Sequence, residues 1–220
     1  MRFIVNILCV ILALTCNAQT NKNDTLLSSD TLNINKSKYI VQLQKNNVFK
    51  IICQNDTLIE RDYYPSDTRF LDFNGDGFVD IYVTFLSNVP GLNDLFLFDN
   101  LSGCFKKIEG FRDFEDAKKI GKGYYYSYHR SGCADLNWDS DLFIIKDFKT
   151  VKLANMHAVQ CDDKPEKYIN VYKMTSSESI LIENINPTKV KNNKWSFIFK
   201  YWKRNYKKLT MWSKMVLKIS

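Results

Sequence analysis

The chain advances in short bursts of β-branched and aromatic residues, broken every roughly 8–12 residues by Asn, Asp or Gly. Such bursts lie at residues 39–43, 48–52, 58–60, 81–85, 92–98, 105–108, 124–128, 142–145, 151–153 and 168–172. Each is too short to close a useful helix but long enough for one strand. Asn46-Asn47 falls between the first two runs, where a tight hairpin turn is needed. The pattern predicts an all-β fold of short antiparallel strands, either a sandwich or propeller-like blades. No fixed repeat period is visible, so a regular repeat propeller is not expected.

One interruption carries chemistry. Residues 72–80 read Asp-Phe-Asn-Gly-Asp-Gly-Phe-Val-Asp. Side-chain oxygens recur on alternate residues at Asp72, Asn74 and Asp76, and again at Asp80. The gap can be filled by the backbone carbonyl of Phe78. Hard cations such as Ca²⁺ take six to eight oxygens at about 2.3–2.6 Å, and glycines at 75 and 77 allow the chain to curl around one. The alternative is an ion-free Asn-Gly/Asp-Gly turn. An EF-hand would need a bidentate Glu at its twelfth position, which here is Val83, and a helix on either side. Residues 81–85 instead favour a strand. This loop-into-strand form resembles the calcium loops of FG-GAP and VCBS-type repeats.

Arg2 followed by an apolar run at 3–14 and a small residue at Ala18 has the layout of a secretory signal, too short to span a bilayer. Residues 1–18 are therefore expected to be removed; in the alternative, Cys16 is a lipidated residue of an outer-membrane lipoprotein. Both alternatives imply export, to the periplasm or beyond. Residues 19–37, rich in Asn, Ser, Thr and Asp, read as a flexible leader. Removing the signal leaves Cys53, Cys104, Cys133 and Cys161. An even number in an exported chain suggests two disulfides with three possible connectivities; Cys133 with Cys161 is favoured because both flank one strand-rich stretch. No Cys-x-x-Cys spacing suggests zinc or redox chemistry.

The net charge of +7 is unevenly distributed. Residues 1–163 hold 18 Lys and Arg against 21 Asp and Glu, whereas residues 164–220 hold 13 against 3. A mildly acidic body thus carries a basic end, which weakens any inference of nucleic-acid binding. In that end Trp195, Ile198, Phe199, Trp202, Tyr206 and Leu209 recur at helical spacing, with Lys200, Lys203, Arg204, Lys207 and Lys208 opposite. Residues 191–209 are expected to form an amphipathic helix. It would either pack on the sheet or present its cations to anionic lipid or an acidic partner. The expected division is a calcium-binding β-domain at 38–183 and a basic aromatic helix and tail at 184–220.

Catalytic signals are sparse. The two histidines, His129 and His157, lie outside any nucleophile elbow, and phosphate-loop and metal-hydrolase motifs are absent from the sequence. Asp135, Asn137, Asp139 and Asp141 again place oxygens on alternate residues. They form a possible second cation loop, although Ser140 stands where a glycine is wanted; the alternative is a solvated loop between strands. Tyrosines at 124–126 and 128 suit either a core strand or a protein-binding patch.

The order of these features resembles the exported bacterial lysozyme-inhibitor-like group, which includes immunity proteins. The likeness covers roughly residues 40–163. A calcium loop enters a strand, Leu97, Phe98 and Asp99 lead through a turn to Phe105, and Asp116, Lys119 and Ile120 precede an aromatic strand ending at Ser131-Gly132-Cys133. The resemblance implies a periplasmic, calcium-binding β-protein without enzymatic activity that blocks a peptidoglycan hydrolase. Inhibitors of that kind use a Ser-Gly-x-Tyr loop. Here Ser102-Gly103-Cys104-Phe105 and Ser131-Gly132-Cys133-Ala134 both lack the tyrosine. The competing expectations are an adhesion module of FG-GAP/VCBS type and, last, an enzyme.

Overall fold

The computed structural model describes residues 25–54, 56–88, 91–161, 166–175, 177–190 and 193–216, with side chains described as far as residue 209. The signal-like segment, including Cys16, and the leader up to residue 24 lie outside the described residues.

Among the described residues, fifteen strands form three antiparallel sheets. In the first, β1 (Leu26–Ile34), β2 (Ser37–Gln44), β3 (Phe49–Ile52) and β4 (Thr57–Glu60) pair in chain order. In the second, β5 (Pro65–Leu71), β6 (Asp80–Phe85), β7 (Asn93–Asp99) and β8 (Cys104–Lys107) do the same. The third contains β9 (Lys118–Gly121), β10 (Tyr124–Tyr126), β11 (His129–Arg130), β12 (Trp138–Lys146), β13 (Lys149–Val159), β14 (Tyr168–Met174) and β15 (Ser179–Ile185). Its order is β15-β14-β13-β12-β10-β9, with β11 also paired to β12. The helix α1 (Lys194–Val216) follows. The fold is thus all-β with a C-terminal helix, and among the described residues no sheet closes into a barrel.

Tight turns make this sequential pairing possible. Asn35 and Lys36 (φ 50° and 67°), and Asp147 and Phe148 (φ 51° and 60°), occupy the left-handed region at consecutive positions. Their twist matches that of the strands they join.

The sheets stack because the middle one is apolar on both faces. All seven residues of β7 are buried. Phe96 and Phe98 enter a core with Tyr39, Phe49 and Ile51 of the first sheet. Leu95 and Leu97 enter a second with Phe111, Tyr125 and Phe143. Alternation along a strand delivers successive side chains to opposite faces, so one short strand serves two cores. On the far face of the third sheet, Leu142, Ala154, Met156, Ile169 and Val171 pack with Ile198 and Trp202 of α1. Both helix residues are 0% exposed. The Trp202 indole N–H donates to Ser140 Oγ at 2.9 Å, and Ser140 donates in turn to the Ser127 carbonyl at 2.6 Å. The Trp202 indole and the Ser140 hydroxyl are therefore paired rather than stranded.

Two disulfides cross-link this stack. Cys53–Cys104 joins the end of β3 to the start of β8, and Cys133–Cys161 joins the turns that follow β11 and β13. The second is the pairing favoured from sequence.

Three expectations need correction. The stretch 25–37, expected as flexible leader, contains β1, paired to β2 along its length. Only Ile34 of β1 is buried, with Leu32 packed at the core edge, so the rest of that strand lacks an apolar pattern. The division at 183/184 is not a domain boundary, because β15 runs to Ile185 and α1 shares a core with the third sheet. Finally, Asp139 and Asp141 sit in a strand, not a loop. Alternating oxygens have the same period of two in either setting.

Candidate functional site

The 72–80 loop connects β5 to β6. Asp72 organises it: Oδ1 accepts from Gly75 N at 2.6 Å and Asp76 N at 3.1 Å, while Oδ2 accepts from Gly77 N at 3.0 Å. Asn74 Oδ1 accepts from Asp76 N, and Asp76 Oδ1 from Phe78 N, both at 2.9 Å. Asn74 Nδ2 donates to Asp76 Oδ2 at 2.8 Å. These side-chain-to-backbone bonds curl the chain and bring Asp72, Asn74 and Asp76 onto one exposed rim. Lys119 donates to the Asn74 carbonyl at 2.6 Å. Gly75 has φ 75°, a backbone conformation that favours glycine; a Cβ there would also displace the Lys119 ammonium.

Beneath this rim the loop makes its buried contacts. The Phe78 ring packs on Phe98 at 5.2 Å. Asp80 is 0% exposed. Its Oδ2 accepts from Phe73 N at 2.9 Å and Asn74 N at 3.4 Å, and its Oδ1 accepts from Phe98 N at 3.0 Å. Burial pushes its carboxyl up to about 6 despite these donors. Asp80 therefore holds the loop down onto β7. The rim consists of two carboxylates and one amide, all oxygen donors with lone pairs beyond those accepting N–H. That donor chemistry suits a hard cation. Among the described residues, no group of three or more His, Cys, Asp or Glu is arranged to hold a metal.

The second acidic stretch is fully engaged by protein partners. Asp135 takes Lys194 Nζ at 2.5 Å and the Tyr128 hydroxyl. Asn137 Oδ1 accepts from Gln160 N at 2.9 Å and Cys161 N at 3.2 Å. Asp141, 0% exposed, meets Asn155 Nδ2 at 2.8 Å and Lys152 Nζ at 2.9 Å. Asp139 has His157 Nδ1 at 2.9 Å, His129 Nε2 at 3.7 Å and the Ser131 hydroxyl around it. Burial pushes Asp139 up, but the hydrogen bonds from Ser131 and His157 outweigh it and hold the carboxyl below its ordinary value. Both histidines of the chain thus converge on one carboxylate, a grouping that spacing alone did not reveal. Strand register creates it: Asp139 faces His129 across β11 and His157 across β13.

Above this cluster projects the loop at 131–136. Its backbone enters the left-handed region at four consecutive residues: Gly132 (φ 101°), Cys133 (56°), Ala134 (49°) and Asp135 (73°). For residues with a Cβ this costs roughly 1–2 kcal/mol each. The surroundings impose it. Cys133 is tied to Cys161, Ser131 N donates to the Asn137 carbonyl at 2.9 Å, and Asn137 N donates to the Gly132 carbonyl at 3.2 Å. Lys194 clamps Asp135, whose carboxyl is pushed up by burial but held low overall by Lys194 and Tyr128. Ser131, Gly132, Cys133 and Ala134 are nonetheless exposed, and Leu136 is 43% exposed. The 102–105 segment is different: Gly103 N closes a tight turn on the Asp99 carbonyl at 2.8 Å, and Phe105 is buried.

No protein-family model matches the chain, and no curated protein matches it in sequence. Among solved structures, a Xanthomonas type IV secretion system related protein is similar, with 14% identity and a TM-score of 0.48 over 76% of this chain and 97% of that one. The two disulfides place the chain in an oxidising, non-cytoplasmic compartment. Among the described residues, no helix is long and apolar enough to cross a membrane.

Proposed function

We propose that this chain is an exported, calcium-stabilised binding protein that presents the 131–136 loop to a peptidoglycan hydrolase and inhibits it. The supporting observation is the loop itself, exposed at its tip and held in an unfavourable backbone conformation by a disulfide, two turn hydrogen bonds and an ion pair. Strain maintained on an exposed loop is characteristic of a ligand clamp. A rigid loop loses little entropy on entering a cleft, which is the basis of tight inhibition by small proteins. Between the two Ser-Gly segments, 131–134 has this character, whereas 102–105 is an ordinary turn. The tyrosine of the related inhibitory pattern is absent, and Leu136 supplies the exposed apolar side chain at the tip.

In this reading Asp72, Asn74 and Asp76 bind Ca²⁺ through side-chain oxygens, the Phe78 carbonyl and water complete the shell, and Asp80 acts as the anchor beneath. The ion stiffens the second sheet and performs no chemistry. Export proceeds through the N-terminal signal at 1–18, to the periplasm or medium.

The test is a cell-wall lysis assay with muramidases of several types and a molar excess of the protein. At least one should be inhibited, and Ala134→Trp or Leu136→Arg should relieve inhibition without lowering the melting temperature. If no muramidase is slowed, the inhibitor reading fails. Calcium is tested separately: saturating Ca²⁺ at about 100 Kd should stabilise by about 2.7 kcal/mol, and Asp76→Ala should abolish the gain. A melting temperature indifferent to Ca²⁺ and EDTA removes the ion from the model of function.

A further inference from the structure

Strand β15 is the edge of the third sheet, and its Ile180, Leu181 and Ile182 are 43%, 53% and 42% exposed. Edge strands are usually blunted by lysine, proline or a covering element. Neither residue type occurs in β15, and among the described residues no backbone hydrogen bond reaches its outer side. A bulge between its register positions at Tyr172 and Val171 interrupts pairing at Ile182. Such a bulge turns neighbouring side chains to one face, and Ile182 and Glu183 both line the groove between β15 and α1.

That groove consists of two adjoining cavities, about 680 and 350 Å³, which share Glu183, Tyr201 and Asn205. Its apolar lining is Ile180, Ile182, Phe197, Tyr201 and Leu209. Its rim carries Lys173, Lys189, Lys200, Arg204 and Lys208. Among the described residues, Glu183 is the only acid lining either cavity, and it accepts a hydrogen bond from the Tyr201 hydroxyl at 2.7 Å. Some lysines outside the groove meet carboxylates: Lys106 with Asp99, Lys107 with Glu60 and Lys152 with Asp141. Among the described residues, Lys189, Lys200, Arg204 and Lys208 have no ion pair.

We infer that this groove binds an extended acidic peptide segment of a partner protein, with apolar residues against its apolar lining and carboxylates along its rim. The distribution of charge selects this occupant. The cations are spread along both cavities, so a ligand with a single anionic head would leave most of them unmatched. A second copy of the chain would bring the same cations and repel. A peptide can also use the free N–H and C=O groups of β15 on either side of the bulge, which a lipid cannot. This surface is distinct from the 131–136 loop, so the inference does not depend on the inhibitor reading.

The experiment uses the full mature protein and a fluorescein-labelled ten-residue peptide alternating Glu with Val. Anisotropy should report binding that weakens with salt, because the rim is exposed. Lys200→Glu with Arg204→Glu, and separately Ile182→Asp, should each weaken it at least about tenfold. Hydrogen exchange should slow at 179–185 when the peptide binds. These positions are exposed, so the variants should keep the wild-type melting temperature, which is checked in parallel. Equal binding of a peptide with Lys in place of Glu overturns the inference, as does unchanged exchange in β15. Binding to phosphatidylglycerol vesicles but not to the peptide would transfer the groove to lipid and also overturn it. Concentration-dependent dimerisation that blocks the peptide would assign the edge to self-pairing and refute it.

Discussion

Asp80→Ala separates the anchor from the ion rim within one nine-residue stretch. The carboxylate of Asp80 is fully buried and accepts three backbone N–H groups, at 2.9 Å from Phe73, 3.0 Å from Phe98 and 3.4 Å from Asn74. Alanine would strand the first two in the protein interior, each at about 1–3 kcal/mol, and lose the third, weaker bond. The expected loss is about 3–5 kcal/mol. For a domain of this size that is about 10 °C in melting temperature. Asp76→Ala breaks only exposed bonds, whose donors can turn to water, and should cost about 1 kcal/mol or less in EDTA. The assay is urea unfolding of the wild type and both variants, each in EDTA and in saturating Ca²⁺. Asp80→Ala should be severe in both buffers. Asp76→Ala should be mild in EDTA and should lose the calcium increment. The reasoning is refuted if Asp80→Ala costs less than about 1 kcal/mol in EDTA, or if its cost appears only with calcium.

Trp202→Phe should cost about 1–3 kcal/mol, because the ring is replaced by a smaller one and Ser140 loses its indole donor; equilibrium unfolding measures it, and a neutral result would contradict the packing of α1. Replacing Cys53 and Cys104 together by serine should destabilise by about 4 kcal/mol, from the 51-residue separation that the bridge closes; comparing denaturation midpoints checks it. Asp94 receives Arg112 Nε at 2.7 Å and Nη2 at 2.8 Å, the Tyr63 hydroxyl at 2.6 Å and Lys107 Nζ at 3.2 Å. Burial pushes its carboxyl up, but the Arg112 and Tyr63 hydrogen bonds outweigh this and hold it low. A carboxyl depressed in the folded state stabilises above its ordinary value near 3.9 and loses that contribution as pH falls through the folded value. The gap between wild type and Asp94→Asn, about 3–5 kcal/mol at neutral pH, should therefore narrow below about pH 4; a gap constant across that range would refute the assignment.

Much of the fold is legible because buried strands concentrate β-branched and aromatic residues. β6, β7 and β8 lie within a residue or two of the runs at 81–85, 92–98 and 105–108. What escaped was structure whose pattern faces water. β1 buries only Ile34, and β5 and β9 are largely exposed, so no apolar period marks them. The apolar run at 142–145 begins four residues inside β12, because Asp139 and Asp141 alternate as loop ligands also would. The pair of histidines around Asp139 is invisible in the sequence for the same reason, since their proximity exists only once β12 is placed between β11 and β13. The 72–80 loop was legible in its rim, Asp72, Asn74 and Asp76. Asp80 could not be resolved from spacing, because its role depends on Phe98, a residue brought in by β7.

The helix accounts for why both candidate surfaces lie on the third sheet. Asn193 caps α1, its side chain accepting from Ser196 N at 2.9 Å. The first helical residue is Lys194, a cation where the helix dipole disfavours one. Its partner Asp135 at 2.5 Å offsets that cost, and the pair fixes the 131–136 loop. Further along, Tyr201 bonds Glu183 on β15 at 2.7 Å, and Lys203 reaches the Ile120 carbonyl on β9 at 2.8 Å. One helix therefore braces the loop at its start and spans the sheet from one edge to the other, while its flank forms a wall of the cationic groove. Loosening Trp202 must disturb both surfaces at once. Breaking Cys133–Cys161 frees only the loop, because the groove lies along β15 and α1 and shares no residue with it.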